Sequence, residues 1–248
     1  NRSDLVTQAS EFKAGVDLQA VVVFGGDGTI LRAAELARGT TAPIIGVNLG
    51  KVGFLAEISK PSLDAIIDAI STQKLVTEPR LTIAYKILRG DAEIASGWAL
   101  NEIVVERSET SMLELFVQID NRPLSRWGCD AVICATPTGS TAYAFSAGGP
   151  VVWPEVDAMI VLPLAAHALF SDPMVVSPNS TVVIDIESEK AEISADGMRK
   201  IKLLENDRVV ITKDPWKVNL AHLDDSVFTD RLVAKFKLPI EGWRGGGA

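Results

Sequence analysis

Near Leu81 the spacing of apolar residues changes from a helical period to a strand period, and that change restricts the chain to two kinds of layer in succession. Before it, Ala20-Val21-Val22-Val23-Phe24 is a short, wholly apolar run of the kind found in parallel strands buried on both faces. Gly25-Gly26-Asp27-Gly28 breaks the run at once. Thr29 is then a cap for a helix reaching Arg38, with Gly39 just past its end. Pro43 to Asn48 reads as a second strand, and Leu63, Ile66, Ile67 and Ile70 fall on one helical face. Strand, helix, strand, helix is the order of an open α/β sheet.

After Leu81 the pattern alternates. Leu113, Leu115, Val117 and Ile119 share one face, and Asp120-Asn121-Arg122-Pro123 reads as a turn. Val182, Ile184 and Ile186 alternate with Thr181, Asp185 and Glu187, and Val209-Val210-Ile211 is another short strand. Many short strands with turn signals predict a sandwich of antiparallel sheets. The expected fold class is α/β plus all-β: a Rossmann-like open α/β domain over 1–97 and a β-sandwich over 98–225, with the boundary near Gly97. The tail Arg244 to Ala248 is expected to be disordered.

Charge narrows the function. The 248 residues carry a net charge of −8, which argues against a nucleic-acid partner, since such proteins present a basic face. It also sets a condition on any anionic substrate: phosphates must be held by backbone amides, helix N-termini or a bound cation. No apolar stretch approaches the ~20 residues needed to cross a bilayer, and Asn1 to Gly15 carries no signal-peptide pattern, so no membrane partner is expected. Cys129 and Cys134 lack metal-site spacing and are too few for a disulfide scaffold. They read as reduced core thiols of a cytoplasmic protein, on opposite faces if they share a strand.

Four constellations carry chemistry. Gly25-Gly26-Asp27-Gly28-Thr29 follows an apolar strand, where ligands of open α/β sheets collect. Its glycines let N–H groups approach phosphate, and the helix behind adds partial positive charge. A carboxylate in such a place repels phosphate, so Asp27 makes sense as a proton acceptor or a cation holder; it also suits a plain turn cap. Thr136-Pro-Thr-Gly-Ser-Thr-Ala-Tyr-Ala-Phe-Ser-Ala-Gly-Gly-Pro150 offers hydroxyls and open backbone to sugar and phosphate oxygens, with Tyr143 able to stack on a base or fill a gap. It could equally be a loop capping a short helix. Asn101-Glu102, at a strand start, can read a ribose or an adenine edge. Gly128-Cys129-Asp130 presents a carboxylate for a ribose hydroxyl or an amide, or for a turn cap.

Together the four resemble the NAD kinase family, in the family's order and from about Val21 to Trp243; the ending from Phe228 to Arg244 resembles actinobacterial members. The resemblance implies an N-terminal α/β domain, a C-terminal β-sandwich, and a segment 226–248 that packs back on the first domain. It implies phosphoryl transfer from ATP to the 2′-hydroxyl of the adenosine ribose of NAD, giving NADP. Asp27 would be the general base. Gly28, Arg32, Asn101, Glu102, Asp130, Thr141, Ala142, Tyr143 and Ser146, with Asp27, would contact NAD, and Gly25, Gly26, Gly28 and Thr29 would lie near the donor phosphates. Mg²⁺ or Mn²⁺ would arrive with the nucleotide, since no dedicated metal cage is visible. Polyphosphate is a further possible donor, and a homotetramer or homodimer is implied.

Relatives carry a further strand–helix–strand stretch before the GGDGT strand, and here only about twenty residues precede it, so the first domain is expected to be truncated. His167 reads as structural and His222 as a surface or interface residue. Lipid kinases and phosphofructokinases share a GGDG-type turn but not the long hydroxyl-rich run. A non-catalytic NAD(P)-binding sensor would lack Asp27. No G-x-G-x-x-G with an acid some twenty residues on follows a strand, which argues against a Rossmann dehydrogenase.

Overall fold

The computed structural model describes residues 18–50, 53–56, 61–223 and 227–240; the opening stretch inspected for a targeting signal and the tail expected to be disordered lie outside the described residues. β1 (Val21–Phe24) and β2 (Ile44–Val47) pair in parallel, with Val21 opposite Ile44. The crossover is α1 (Asp27–Ala37), which buries Ile30, Ala33, Ala34 and Ala37, a stripe at i, i+3, i+4 and i+7. α1 starts three residues earlier than a Thr29 cap predicts: Gly26 is the N-cap and Thr29 lies inside the first turn. Gly39 closes it at φ +84°. α2 (Leu63–Ser71) is capped by Ser62, whose Oγ accepts the N–H of Ala65 at 3.2 Å.

Two long strands join the layers. β3 (Val76–Arg89) and β14 (Asp207–His222) run antiparallel along nearly their whole length, so the strand period starts at Val76. On its other edge β14 changes partner. Up to Ile211 it pairs with β11 (Val182–Ile186); past an irregularity between Lys213 and Lys217 it pairs in parallel with β2, Leu220 opposite Ile44. A bulge kinks a strand and lets its two halves serve different layers.

β4 (Ala92–Ala99), β6 (Leu113–Ile119) and β7 (Arg122–Cys129) complete that sheet. Asp120 and Asn121 turn the chain between β6 and β7 at φ +52° and +59°, so Arg122 and Pro123, read as turn residues, already belong to β7. The facing sheet needs six further elements: β5 (Glu102–Arg107), β8 (Ala131–Ala135), β9 (Met159–Leu164), β10 (Met174–Val176), β12 (Lys190–Ala195) and β13 (Arg199–Leu204). Their order is β10-β9-β8-β5-β12-β13. The architecture is α/β plus all-β.

Ile83, Ile87, Leu115, Val117, Ile184 and Ile211 from one sheet meet Ile103, Val105, Val132, Val161 and Ile193 from the other. Cys129 and Cys134 lie on different strands, β7 and β8, and face this same core, so the reading of opposite faces does not apply. The second sheet also buries its far side: Val104, Ile133, Ala135, Ile160 and Leu162 pack on Ala144 and Val152. That explains why Ala131–Ala135 is apolar at every position. Truncating a large aliphatic side chain in such a layer costs about 2–5 kcal/mol. Among the described residues no helix is long and apolar enough to cross a membrane.

Candidate active site

The turn after β1 stays tied to β2, because the N–H of Gly25 bonds Val47 O at 3.0 Å. Gly26 ends the turn and Asp27 opens α1. The N–H groups of Asp27 and Gly28 therefore sit in a first helical turn, where an α-helix has no internal acceptor for them. Gly26, Gly28 and Thr29 are exposed. A Cβ would meet nothing at Gly26 or Gly28, whereas at Gly25 it would stand 2.6 Å from Thr29 Oγ1. Packing asks for glycine only at Gly25. The other two leave bare backbone facing outward at a helix N-terminus, which is the arrangement a phosphate uses.

Asp27 is held from the opposite side. Its Oδ2 accepts the N–H of Phe54 at 3.0 Å and its Oδ1 that of Leu55 at 3.1 Å. Gly53 gives way to it: a Cβ there would lie 2.2 Å from Asp27 Oδ1. Two charge-assisted bonds fix the carboxylate plane, and each oxygen keeps a second lone pair. Phe54, Leu55 and Gly53 are absent from the sequence reading. Their signal was Gly-Phe-Leu just after the second parallel strand, at the same edge of the sheet.

The second half of the site is built on Asp196. This buried carboxylate accepts from Leu100 N at 3.0 Å, Asn101 N at 2.7 Å and Glu102 N at 3.3 Å. Asp196 itself stands at φ +51° in the turn between β12 and β13. Asn101 O receives Thr136 N at 2.8 Å, Leu100 O receives Thr136 Oγ1 at 2.5 Å, and Gly139 passes so close that its Cβ would be 2.0 Å from Asn101 O. Thr138–Thr141 forms a 3-10 turn and Tyr143–Ser146 the short helix α3. Ser140 Oγ locks the far end by bonding both Val152 N and Val152 O. The sequence reading missed Asp196, for which Asp-Gly in a turn was the available signal.

Glu102 accepts the main-chain N–H of Tyr143, and its other oxygen, Oε2, has no partner. Burial, then the charge of Asp196, push its carboxyl up to about 7. Tyr143 is half exposed, and its hydroxyl is pushed up by burial and by Glu106, Asp130 and Glu102, which places all four groups in one neighbourhood. Asp130 pairs with Arg107 at 3.2 Å. Thr141 is half-buried, with Oγ1 on Thr138 O at 3.3 Å, Ala142 is half-buried, and Ser146 is exposed at the end of α3. Arg32 is exposed on α1, one turn past Gly28.

Two bridges bring these halves together. Arg199 bonds Asp196 Oδ2 at 2.9 Å and Trp98 O at 2.8 Å, and pairs with Glu35 of α1. Arg38 and Arg199 both lie over the Trp98 ring, at 4.5 and 4.9 Å. The second bridge is α4 (Phe228–Phe236). Phe54 touches Phe228 and Phe236, centroids 5.8 and 5.9 Å apart, and Phe236 touches Phe145 of α3 at 4.9 Å. His222, read as a surface or interface residue, is buried at 2 % exposure beside Glu78, because it ends β14 between β2 and β3. His167 is exposed and its N–H bonds Gly128 O at 2.8 Å.

The family model of the ATP-NAD kinase N-terminal domain matches residues 3–75, and that of the ATP-NAD kinase C-terminal domain matches 100–223. An NAD kinase of Thermobifida fusca is 47% identical over 99% of this chain and 77% of its own length. One from Mycobacterium bovis is 48% identical over 92% of this chain and 75% of its own. The yeast NADH kinase complexed with NADH superposes with a TM-score of 0.83 at 24% identity, over 91% of this chain and 68% of that one. An NAD kinase from Archaeoglobus fulgidus in complex with ATP gives 0.72 at 30% identity, over 88% and 83%.

Proposed function

The chain belongs to the NAD kinase family, and on that premise we propose that it moves the terminal phosphoryl group of ATP onto the 2′-hydroxyl of the adenosine ribose of NAD, giving NADP and ADP. The observation that carries the reading is the Asp27 carboxylate, fixed by Phe54 and Leu55 at the head of a helix whose first amides face outward. A ribose hydroxyl is a weak nucleophile at neutral pH. Asp27 takes its proton, the oxygen attacks the γ-phosphorus, and the bond to the bridging oxygen of ADP breaks; such a base contributes about 10²–10⁴ in rate. We place the donor phosphates at the exposed Gly26, Gly28 and Thr29, with half-buried Gly25, whose N–H bonds Val47 O, shaping the turn.

We assign NAD to Gly28, Arg32, Asn101, Glu102, Asp130, Thr141, Ala142, Tyr143 and Ser146, beside Asp27. The unpartnered Oε2 of Glu102 supports this, since a buried acceptor without a donor is costly until a ligand hydroxyl or amide meets it. Among the described residues no three His, Cys, Asp or Glu side chains converge as a metal cage. Mg²⁺ would enter on the nucleotide and neutralise donor charge that this acidic chain does not.

The test is a matrix of ATP, GTP and polyphosphate against NAD, NADH and a diacylglycerol, with Mg²⁺. NADP from NAD and ATP is the expected result; turnover of the lipid without NADP would overturn the reading. We place the enzyme in the cytoplasm, consistent with two buried free thiols, each pushed up to about 12 by burial. We also expect a homodimer or a tetramer of dimers, a reading favoured by the fully exposed Leu169 beside the half-exposed Phe170. Light scattering at micromolar concentration checks it, and a monomer counts against it.

A further inference from the structure

We propose that Arg231 of α4 is a positioning residue for Asp27, acting through the single peptide unit that joins Phe54 to Leu55. Arg231 is 0 % exposed and its Nη1 donates to Phe54 O at 3.3 Å, with Glu78 Oε2 at 3.9 Å. That carbonyl and the N–H of Leu55 belong to one planar group. The N–H is the one that donates to Asp27 Oδ1 at 3.1 Å. A guanidinium on the oxygen therefore fixes the direction of the N–H. It also polarises the amide and makes it a stronger donor. The relay runs from a helix late in the chain to a carboxylate early in it, across 204 positions of sequence (231 minus 27).

Packing does not explain an arginine here. Its Nε and Nη2 have no hydrogen-bond partner, and each buried donor left so costs about 1–3 kcal/mol. Methionine would fill the same space without that cost. The neighbouring aromatic contacts act on the same residue: Phe228, one turn before Arg231, and Phe236 hold the Phe54 ring from the same helix. Ring and carbonyl of Phe54 are thus both set by α4, while its N–H and that of Leu55 set Asp27.

This rests on Asp27 being the base, so the test has two readouts, the second free of substrate. First, kcat is measured for Arg231→Met alone and combined with Asp27→Asn. The expected loss is about 10–100-fold from Arg231→Met alone, with KM for NAD nearly unchanged. When Asp27 is already replaced, little further loss is expected, because the relay ends on that carboxylate. Losses that multiply in the combined variant would mark a merely structural role and overturn the proposal.

Second, amide hydrogen exchange at Leu55 should be about tenfold faster in Arg231→Met, with the amides of β8 and β11 unchanged. Leu55 exchange that does not move overturns the proposal, whether or not the enzyme turns NAD over. A wild-type protein that makes no NADP overturns the functional reading, and exchange still decides the positioning. Should Arg231→Met not fold, Arg231→Lys carries both readouts. A lysine, a compact point charge in place of the planar guanidinium, should give a smaller shift of the same sign, and wild-type exchange with wild-type kcat would sink the idea.

Discussion

Asp196 accepts the main-chain N–H of Glu102 at 3.3 Å, and both carboxyl groups are buried. Arg199 and three amides compensate Asp196, but Glu102 has only the N–H of Tyr143. Burial first, then the Asp196 charge, raise the Glu102 carboxyl to about 7 from an ordinary value of 4.5. A raised carboxyl binds its proton more tightly in the folded state, so this group lowers stability as pH climbs from about 4.5 through about 7. A rise of that size corresponds to about 3 kcal/mol in order of magnitude. Glu102→Gln is expected to leave stability near pH 5 almost unchanged and to raise it at pH 9 by up to that amount. Urea melts of both proteins at the two pH values check it; equal differences at both would show that Glu102 titrates normally.

Two glycines separate packing from function. Gly139→Ala puts a methyl 2.0 Å from Asn101 O, a backbone atom that cannot swing away. The expected cost is at least about 1–3 kcal/mol of stability, and the Asn101–Glu102 corner moves with it. Gly28→Ala meets nothing and lies inside α1, where alanine is favoured by up to about 1 kcal/mol. It should melt at or above the wild-type temperature while turnover falls, because its methyl covers backbone that we assign to phosphate. Calorimetry with initial rates separates the two; a fully active Gly28→Ala would remove Gly28 from the substrate contacts.

The strands and helices were legible where one local cause fixed them. Ala131–Ala135 is buried on both faces and reads so, and Leu63 to Ile70 carries its helix in its spacing. The start of α1 moved by three residues because Gly26, with no side chain to announce it, takes the cap that Thr29 advertised. What could not be read is whatever depends on distant pairing. β14 looked like a three-residue strand because only Val209–Ile211 is apolar throughout, yet it runs to His222 by borrowing β2 and β3. Gly53, Phe54, Asp196, Arg199 and Arg231 serve the site through contacts made across the fold, and no spacing rule joins Arg231 to Asp27.

Tyr143 should affect affinity and not chemistry. Its ring is 38 % exposed beside Glu102 and Asp130, and its contribution to the corner is made through its main-chain N–H. Tyr143→Ala keeps that N–H and removes the ring. Stacking of a base on an aromatic ring is worth about 1–3 kcal/mol, so the dissociation constant for NAD should rise by about 5- to 150-fold with kcat within a factor of about two. Titration calorimetry with NAD and initial rates at saturation check this. An unchanged affinity would make Tyr143 a gap filler.

Asp27→Asn is the substitution on which the mechanism turns, and the structure says it is not a silent one. The carboxylate offers an oxygen to each of two N–H groups, those of Phe54 and Leu55. An asparagine has one oxygen and one NH₂, so one of the two amides must face a donor. That mismatch is worth about 1–3 kcal/mol, which for a chain of this length lowers Tm by a few degrees. The loss of proton acceptance is a separate and larger effect: kcat should fall by about 10²–10⁴. NAD affinity should change little, and the KM for ATP should stay level or fall, because a negative charge has left the neighbourhood of the phosphates. Rates taken well below the lowered Tm keep the two effects apart. A variant with near-normal kcat and weak NAD binding would make Asp27 a binding or structural residue, and the proton would have to leave by another group.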